Sequence, residues 1–324
     1  MSPVESRFRT WALSSLGFTL LVILWGALVR ATGSGAGCGS HWPTCNGEVL
    51  PKAPATATLI EFTHRITSGL ALVLVVFVAV LAFRTYARGH YARVAAGWSV
   101  FFMFTEALVG AGLVLFEKVA GDTSIARGYW MAAHLINTFL LVAAMTLTVW
   151  AADRDDRPSR AADRRTIFLV LSALLAMIVM GVTGAIAALG DTLFPAATLR
   201  EGIAQDLAHD AHPFVQLRIL HPFVAVAGAL HLLVLASTFL RAGDARVKKP
   251  AQALAGFVVM QVLVGVVNLL LAAPTGLQLL HLLIADLTWI ALVLLAASAT
   301  ARPSKLGEPS ASAAPPRTAA ATGG

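Results

Sequence analysis

The stretch Glu61-Phe-Thr-His64-Arg65 places a carboxylate, an imidazole and a guanidinium within five residues. A carboxylate can move protons and an imidazole can ligate a metal. Glu61 and His64 are three residues apart, so on a helix their side chains share a face. A nearly uncharged run, residues 66–83, follows directly, and ionisable groups at the mouth of an apolar helix are costly to bury. The alternative is an ordinary helix entrance, with Arg65 reaching the lipid headgroups.

Four histidines recur at one equivalent place, near the start of every even-numbered apolar run. Two imidazoles from facing helices of a four-helix bundle are the usual axial ligands of haem iron. Zinc and copper also take histidine, but they do not explain why four long apolar helices would surround each pair. We therefore predict two haem-sized sites with iron ligated in pairs, His64 with His134 and His221 with His281.

The two halves of the chain differ at their acidic positions. Arg218 stands where the first half has Glu61, and Gln261 stands where the first half has Glu106. This asymmetry indicates that one half carries an acid for chemistry while the other holds a cofactor. Asp286 either orients the neighbouring imidazole, as outer-shell acids do, or binds another helix.

The elements that must position these residues are transmembrane helices. Of the 324 residues 57% are hydrophobic and only 13% are charged, with a mean hydropathy of +0.76. The continuous apolar runs, each near the ~20 residues that span a bilayer, exclude a β-barrel. No aromatic-interleaved basic patch indicates nucleic-acid binding. The predicted spans are 11–29, 65–83, 94–116, 129–150, 166–188, 215–239, 251–273 and 277–299.

Charge gives the orientation of these spans. Most of the 24 basic residues fall in the loops on one side, together with both termini, so the positive-inside rule predicts cytoplasmic termini. The first run has no small-residue cleavage site directly after it, so we expect a retained helix and not a signal peptide. These features favour a multi-pass protein of a bacterial plasma membrane.

An internal repeat predicts the domain organisation. Glu106-Ala-Leu-Val-Gly110 resembles Gln261-Val-Leu-Val-Gly265, and the segment after His134 resembles that after His281. An offset of about 150 residues covers four helices, so the halves are expected to be parallel repeats. The expected fold is all-α, with two pseudo-symmetric four-helix bundles. We divide the chain into a first bundle (1–150), a cytoplasmic linker (151–165), a second bundle (166–301) and a disordered tail (302–324).

The first outer loop holds both cysteines, Cys38 and Cys45. It lies on the oxidising side of the membrane, so a disulfide is expected. Its role is either structural or, if the bond is exposed, redox. Trp42 and Pro43 would place an apolar lid over the first bundle.

Several segments together resemble the heme A synthase family, in an order and spacing that cover the chain from the first helix to the eighth. They are Gly26-Ala-Leu-Val-Arg30-Ala-Thr-Gly33-Ser-Gly35, the Cys38–Cys45 loop with Trp42-Pro43, Glu61-Phe-Thr-His64-Arg65, Arg218-Ile-Leu-His221-Pro222 and Leu280-His281-Leu-Leu-Ile-Ala-Asp286. The resemblance implies an enzyme that oxidises the ring methyl group of heme O to a formyl group by successive hydroxylations, making heme A for terminal oxidases.

The resemblance also implies residue roles. Glu61, His64 and His134 would be catalytic, with the two imidazoles flanking heme O in the first half. His221 and His281 would bind a heme b in the second half. A heme O synthase and an assembling cytochrome oxidase are the partners it suggests.

Three arginines at the outer mouth, Arg30, Arg65 and Arg218, are expected to pair with haem propionates, or else to anchor the helices at the membrane edge. The main alternative function is a two-haem electron-transfer cytochrome, which would need the four histidines but not Glu61. The parallel repeat argues against a transporter built on inverted repeats.

Overall fold

A computed structural model describes residues 2–154, 157–158 and 162–302. Within these ranges, eight helical spans are long and apolar enough to cross a membrane. The predicted fold class, an all-α multi-pass membrane protein, is therefore confirmed. The spans are Pro3–Ala31, Thr56–Thr85, Tyr91–Leu115, Ile125–Asp153, Arg164–Leu193, Pro213–Arg241, Ala245–Leu270 and Thr275–Thr300.

Every span begins before its predicted apolar run, and all but the third and the seventh end after it; those two end earlier, at Leu115 and Leu270. Polar residues cap several of the first turns. Asp163, for example, accepts a hydrogen bond from the Thr166 amide at the start of the fifth span. The helices are α1 (Pro3–Ala31), α2 (Thr56–Thr85), α3 (Tyr91–Leu115), α4 (Ile125–Trp150), α5 (Arg164–Leu193), α6 (Leu199–Asp206), α7 (Pro213–Arg218), α8 (Leu220–Arg241), α9 (Ala245–Leu270) and α10 (Thr275–Thr300). Two-residue strands β1 (Arg157–Pro158) and β2 (Ala301–Arg302) pair antiparallel.

The sixth span is broken into α7 and α8 around Ile219. Pro222 lies in the first turn of α8 and has no backbone N–H, so it cannot bond the carbonyl four residues earlier. The helix therefore restarts one turn before the proline, and His221 lies at this restart.

The core lies where the two halves meet. α4 and α10 are the most buried spans, and they pack against each other and against α1 and α5. Trp289 of α10 donates its indole N–H to the Phe139 carbonyl of α4 at 2.7 Å, and the two rings stack. Large apolar side chains such as Leu21, Leu175 and Phe223 are exposed within the spans, as expected of a surface that faces lipid.

The division into two four-helix bundles stays a prediction. Neighbouring helices of each half pack together. In the first half these are α1 with α2, α2 with α3 and α3 with α4; in the second half they are α5 with α8, α8 with α9 and α9 with α10. The predicted linker lies partly, and the predicted tail from residue 303 wholly, outside the described residues.

Candidate functional site

The four recurrent histidines lie about two to three turns after the start of their spans, on α2, α4, α8 and α10. They therefore lie at similar depths along their spans, and the pairing of His64 with His134 and of His221 with His281 stays a prediction.

The imidazoles are half-buried, and three have a buried Nδ1 that makes no hydrogen bond within the described residues: His64, His134 and His281. The fourth ring, His221, contacts Thr183 Oγ1 through Nδ1 at 3.1 Å. Buried polar atoms in proteins are normally partnered, so the open Nδ1 atoms of His64 and His281 point to a ligand, whereas His134 Nδ1 lies 3.5 Å from the Glu106 carboxylate.

Glu61 is 3% exposed and faces the first outer loop. Its Oε2 accepts from the Cys38 backbone N–H at 2.9 Å. Its Oε1 pairs with the Arg65 guanidinium at 2.5 Å. A buried carboxylate needs such partners, so the acid nominated by the sequence is fixed between the loop and its own helix.

Arg65 extends this network to the loop backbone. It donates to the His41 carbonyl at 2.6 Å and to the Thr44 carbonyl at 2.7 Å. Gly37 touches α2 so closely that a Cβ there would lie 2.5 Å from the Ala57 backbone. The Cys38–Cys45 disulfide, predicted from the sequence, is present and fully buried, so it holds together the loop segment that contacts Glu61.

Arg218, the counterpart of Glu61 in the second half, is a cation that pairs with acids. It pairs with Asp191 at 3.0 Å and with Asp206 at 2.5 Å. It also donates to the backbone of Phe194 and Gly202. The second half therefore has a cation where the first half has an acid.

Arg30 crosses from the first half to the second. It donates to the Ala188 carbonyl at 2.6 Å and to Thr192 Oγ1 at 2.7 Å, both on α5, and to Gln278 Oε1 at 2.9 Å on α10. Like the other two arginines, it is bonded to protein acceptors. The pairing of these arginines with propionates stays a prediction.

Glu106 had no predicted role, apart from being an acid at the position where the second half has Gln261. Its carboxylate lies 3.5 Å from His134 Nδ1 and accepts hydrogen bonds from Asn137 Nδ2 at 2.6 Å and from Thr138 Oγ1. In the second half, Gln261 Nε2 lies 3.2 Å from His281 Nε2. The repeat alignment could have found this contact, because both residues stand opposite an imidazole.

The remaining candidates fall outside this arrangement. Asp286 is 1% exposed, and neither of its carboxyl oxygens has a hydrogen-bond partner in the described part of the chain, so it does not orient the His281 ring through a hydrogen bond. His231 contacts Ser172 Oγ at 3.0 Å, as expected of a helix-neighbour contact. His212 caps α7 by accepting from the Phe214 amide.

Each imidazole pair fits a haem better than a bare metal ion. Among the described residues, no group of three or more His, Cys, Asp and Glu side chains is arranged to hold a metal. Two protein ligands suffice for haem iron, whose other ligands come from the porphyrin. The open imidazole nitrogens in a mostly apolar setting are the donors such a group requires.

Comparison with known proteins agrees with these motifs. The family model COX15-CtaA, described as cytochrome oxidase assembly protein, matches residues 9–293. A Thermus thermophilus protein named protoheme IX farnesyltransferase is 45% identical over 312 residues, which cover 95% of this chain and 51% of that protein.

Matches named heme A synthase include one from Shouchella clausii and one from Bacillus cereus. The Shouchella clausii protein is 38% identical over 152 residues, covering 47% of this chain and 48% of the relative. The Bacillus cereus protein is 33% identical over 183 residues, covering 56% and 57%. The chain thus spans about half the length of the curated relatives it matches.

Proposed function

Because the chain belongs to the COX15-CtaA family of cytochrome oxidase assembly proteins, we propose that it is a membrane enzyme of heme A biosynthesis. The proposed reaction oxidises the ring methyl group of heme O to a formyl group by two successive hydroxylations. The product, heme A, would go to terminal oxidases. The proposed location is a bacterial plasma membrane, with both termini cytoplasmic.

The relatives support this proposal. The Shouchella clausii and Bacillus cereus proteins carry the name heme A synthase. The Thermus relative is named for transfer of a farnesyl group to protoheme IX, and this chain matches only about half of it. We propose that the unmatched half carries that transfer and supplies heme O to a half like this chain. A heme O synthase is therefore the partner we expect, alongside an assembling cytochrome oxidase.

One observation carries the assignment of roles: only the first half places a buried acid one helical turn before an imidazole of its pair. Glu61 is 3% exposed, whereas its counterpart Arg218 is a cation held by two aspartates. The first half, residues 1–150, is accordingly the proposed substrate half. The second, residues 166–301, is the proposed cofactor half.

Each hydroxylation takes two electrons and a proton from the ring methyl group, with the electrons going to a redox acceptor, and it leaves positive charge on that carbon until an oxygen nucleophile bonds to it. A carboxylate near the carbon can stabilise the charge or take the proton from the attacking nucleophile. The twice-hydroxylated carbon then loses water to give the formyl group. We assign this task to Glu61, whose orientation is fixed by Arg65 and the Cys38 amide. In a site of low dielectric the effect of such a charge exceeds its effect in water.

His64 and His134 are proposed to flank heme O. Glu106, 3.5 Å from His134 Nδ1, would orient that ring and raise its basicity, as carboxylates behind metal-bound histidines do. Arg65 is the propionate partner that we propose for this half.

The second half is proposed to hold heme b between His221 and His281. When bound, heme b supplies a one-electron redox centre. Thr183 and Gln261 contact these rings and would fix their planes. Arg218 lies at the outer end of this half and is its proposed propionate partner, whereas Arg30, bonded to three protein acceptors, is proposed to tie the two halves together.

Pigment analysis of the Glu61→Gln variant tests the proposal. The chain is expressed with a heme O-producing enzyme, and the haems are extracted and separated. We expect heme A or its hydroxylated precursor from the wild type. Conversion should fall about 100-fold or more in the variant, as for loss of a general acid or base, with the heme b spectrum unchanged.

Glu48→Gln is the matched control, because Glu48 is a partly exposed acid of the same outer loop whose carboxylate, among the described residues, pairs with Lys52. It should convert heme O like the wild type. A wild type that binds two haems and makes no heme A would instead be an electron-transfer cytochrome. Loss of the heme b spectrum in Glu61→Gln would make Glu61 a structural residue.

A further inference from the structure

Each of the four recurrent imidazoles faces a glycine on the preceding span. The glycines come from α1, α3, α5 and α9, and the histidines from α2, α4, α8 and α10. The four facing pairs are Gly26 with His64, Gly110 with His134, Gly184 with His221 and Gly265 with His281.

Three of these approaches leave no room for a side chain. A Cβ on Gly26 would lie 2.9 Å from Cε1 of its histidine, and a Cβ on Gly184 or Gly265 would lie 3.0 Å from Cε1. Comfortable carbon–carbon contacts are about 3.5–4.0 Å. The Gly110 position is looser, at 3.8 Å, which is an ordinary contact.

Other glycines in the same helices do not face an imidazole. Gly17 of α1, Gly97 of α3 and Gly256 of α9 have nothing within 4 Å of a Cβ, whereas Gly112, Gly181 and Gly190 approach other groups, at 2.6–2.9 Å. Glycine is the poorest helix former after proline, so its use opposite the imidazoles calls for a specific reason. The close approach of the ring to the helix backbone is that reason.

We propose that Gly26, Gly184 and Gly265 are positioning residues for the haem-ligating histidines. This inference rests on the proposed function, in which those histidines bind haem. Without a Cβ on the facing helix, the Cε1 edge of each ring lies against backbone, which fixes where its nitrogens point. An alanine Cβ would push the ring away, because the ring lies at the end of a side chain that can rotate, whereas the helix backbone cannot move easily.

The consequence is a separation between folding and haem binding. The ring can move without disrupting helix packing, and alanine favours the helix over glycine. The variants should therefore fold while their ligand nitrogen is displaced. Because the clash distances differ, the effect should be strong at positions 26, 184 and 265 and weak at 110.

The test compares Gly265→Ala with Gly256→Ala, which change the same helix near and far from an imidazole. Both full chains are purified in detergent, and haem content, reduced-minus-oxidised spectrum and reduction potential are measured. We expect about 10-fold weaker haem retention in Gly265→Ala, the cost typical of disturbing groups that orient a metal ligand. Gly256→Ala should match the wild type.

Two further variants keep the test decisive if Gly265→Ala does not fold. Gly184→Ala acts on the other histidine of the same pair from a different helix, and Gly26→Ala has Gly17→Ala as its control. Wild-type haem content and potential in folded Gly265→Ala or Gly184→Ala would overturn the inference. A wild type that binds no haem would overturn the proposed function itself, which is a separate outcome.

Discussion

Arg30→Ala tests whether the guanidinium of Arg30 ties the two halves together or serves a haem. The side chain starts on α1 and ends among acceptors of the second half: the Ala188 carbonyl, Thr192 Oγ1 and Gln278 Oε1, at 2.6–2.9 Å. Alanine removes all three hydrogen bonds and leaves a part-buried carbonyl and amide short of a donor.

The magnitude follows from these contacts. A hydrogen bond to a charged group contributes about 1.5–3 kcal/mol, and the three are not additive, because they share one side chain. The acceptors are neutral, so alanine leaves no unpaired charge, and we expect a total loss of about 3 kcal/mol. At about 2 °C per kcal/mol for a large domain, the apparent Tm in detergent should fall by about 6 °C.

The assay is thermal unfolding together with the haem spectrum. Arg200→Ala is the control, because Arg200 is an exposed arginine on the same side of the membrane; its Tm should change by about 1 °C or less. If Arg30 is a structural tie, the Tm falls while haem content at low temperature stays at the wild-type level. An unchanged Tm with lost haem would refute this reasoning and make Arg30 a propionate partner.

Two further predictions concern the two halves separately. Glu106→Gln should slow heme O conversion about 10-fold and leave the heme b spectrum unchanged, because the carboxylate contacts His134 and Thr138 in the first half only; a changed heme b spectrum in purified protein would contradict this. Trp289→Phe keeps the stacked ring but removes the 2.7 Å hydrogen bond to the Phe139 carbonyl. Thermal unfolding should show that the free energy of unfolding falls by about 1–3 kcal/mol; an unchanged Tm would mean that the hydrogen bond is not needed for stability.

Several features of the site follow from position along the chain. His64 and His134 occupy equivalent places in adjacent even-numbered spans, so their similar depth could be predicted from the sequence. The same holds for His221 and His281. The disulfide could be predicted from two cysteines in one loop, which the positive-inside rule places on the oxidising side.

Other features depend on which helix faces meet. Arg30 has the same signature in the sequence whether it meets a propionate or the end of α5, and only the packing of α1 against α5 and α10 gives it protein acceptors. Glu106 carries no local signal of its contact with His134, and Gly26 and Gly17 cannot be told apart until the ring opposite one of them is located.

The sequence by itself determined the number of spans and the class of fold, because a bilayer imposes a minimum apolar length. It also determined the recurrence of four imidazoles, because a repeat leaves matching residues in both halves. The tertiary structure alone decided the partners of the charged side chains and the close approaches of backbone to imidazole. The physical reason is that a hydrogen bond or a steric contact depends on the rotation of each helix about its axis. These spans are apolar on nearly every face, so the hydropathy pattern fixes that rotation only weakly.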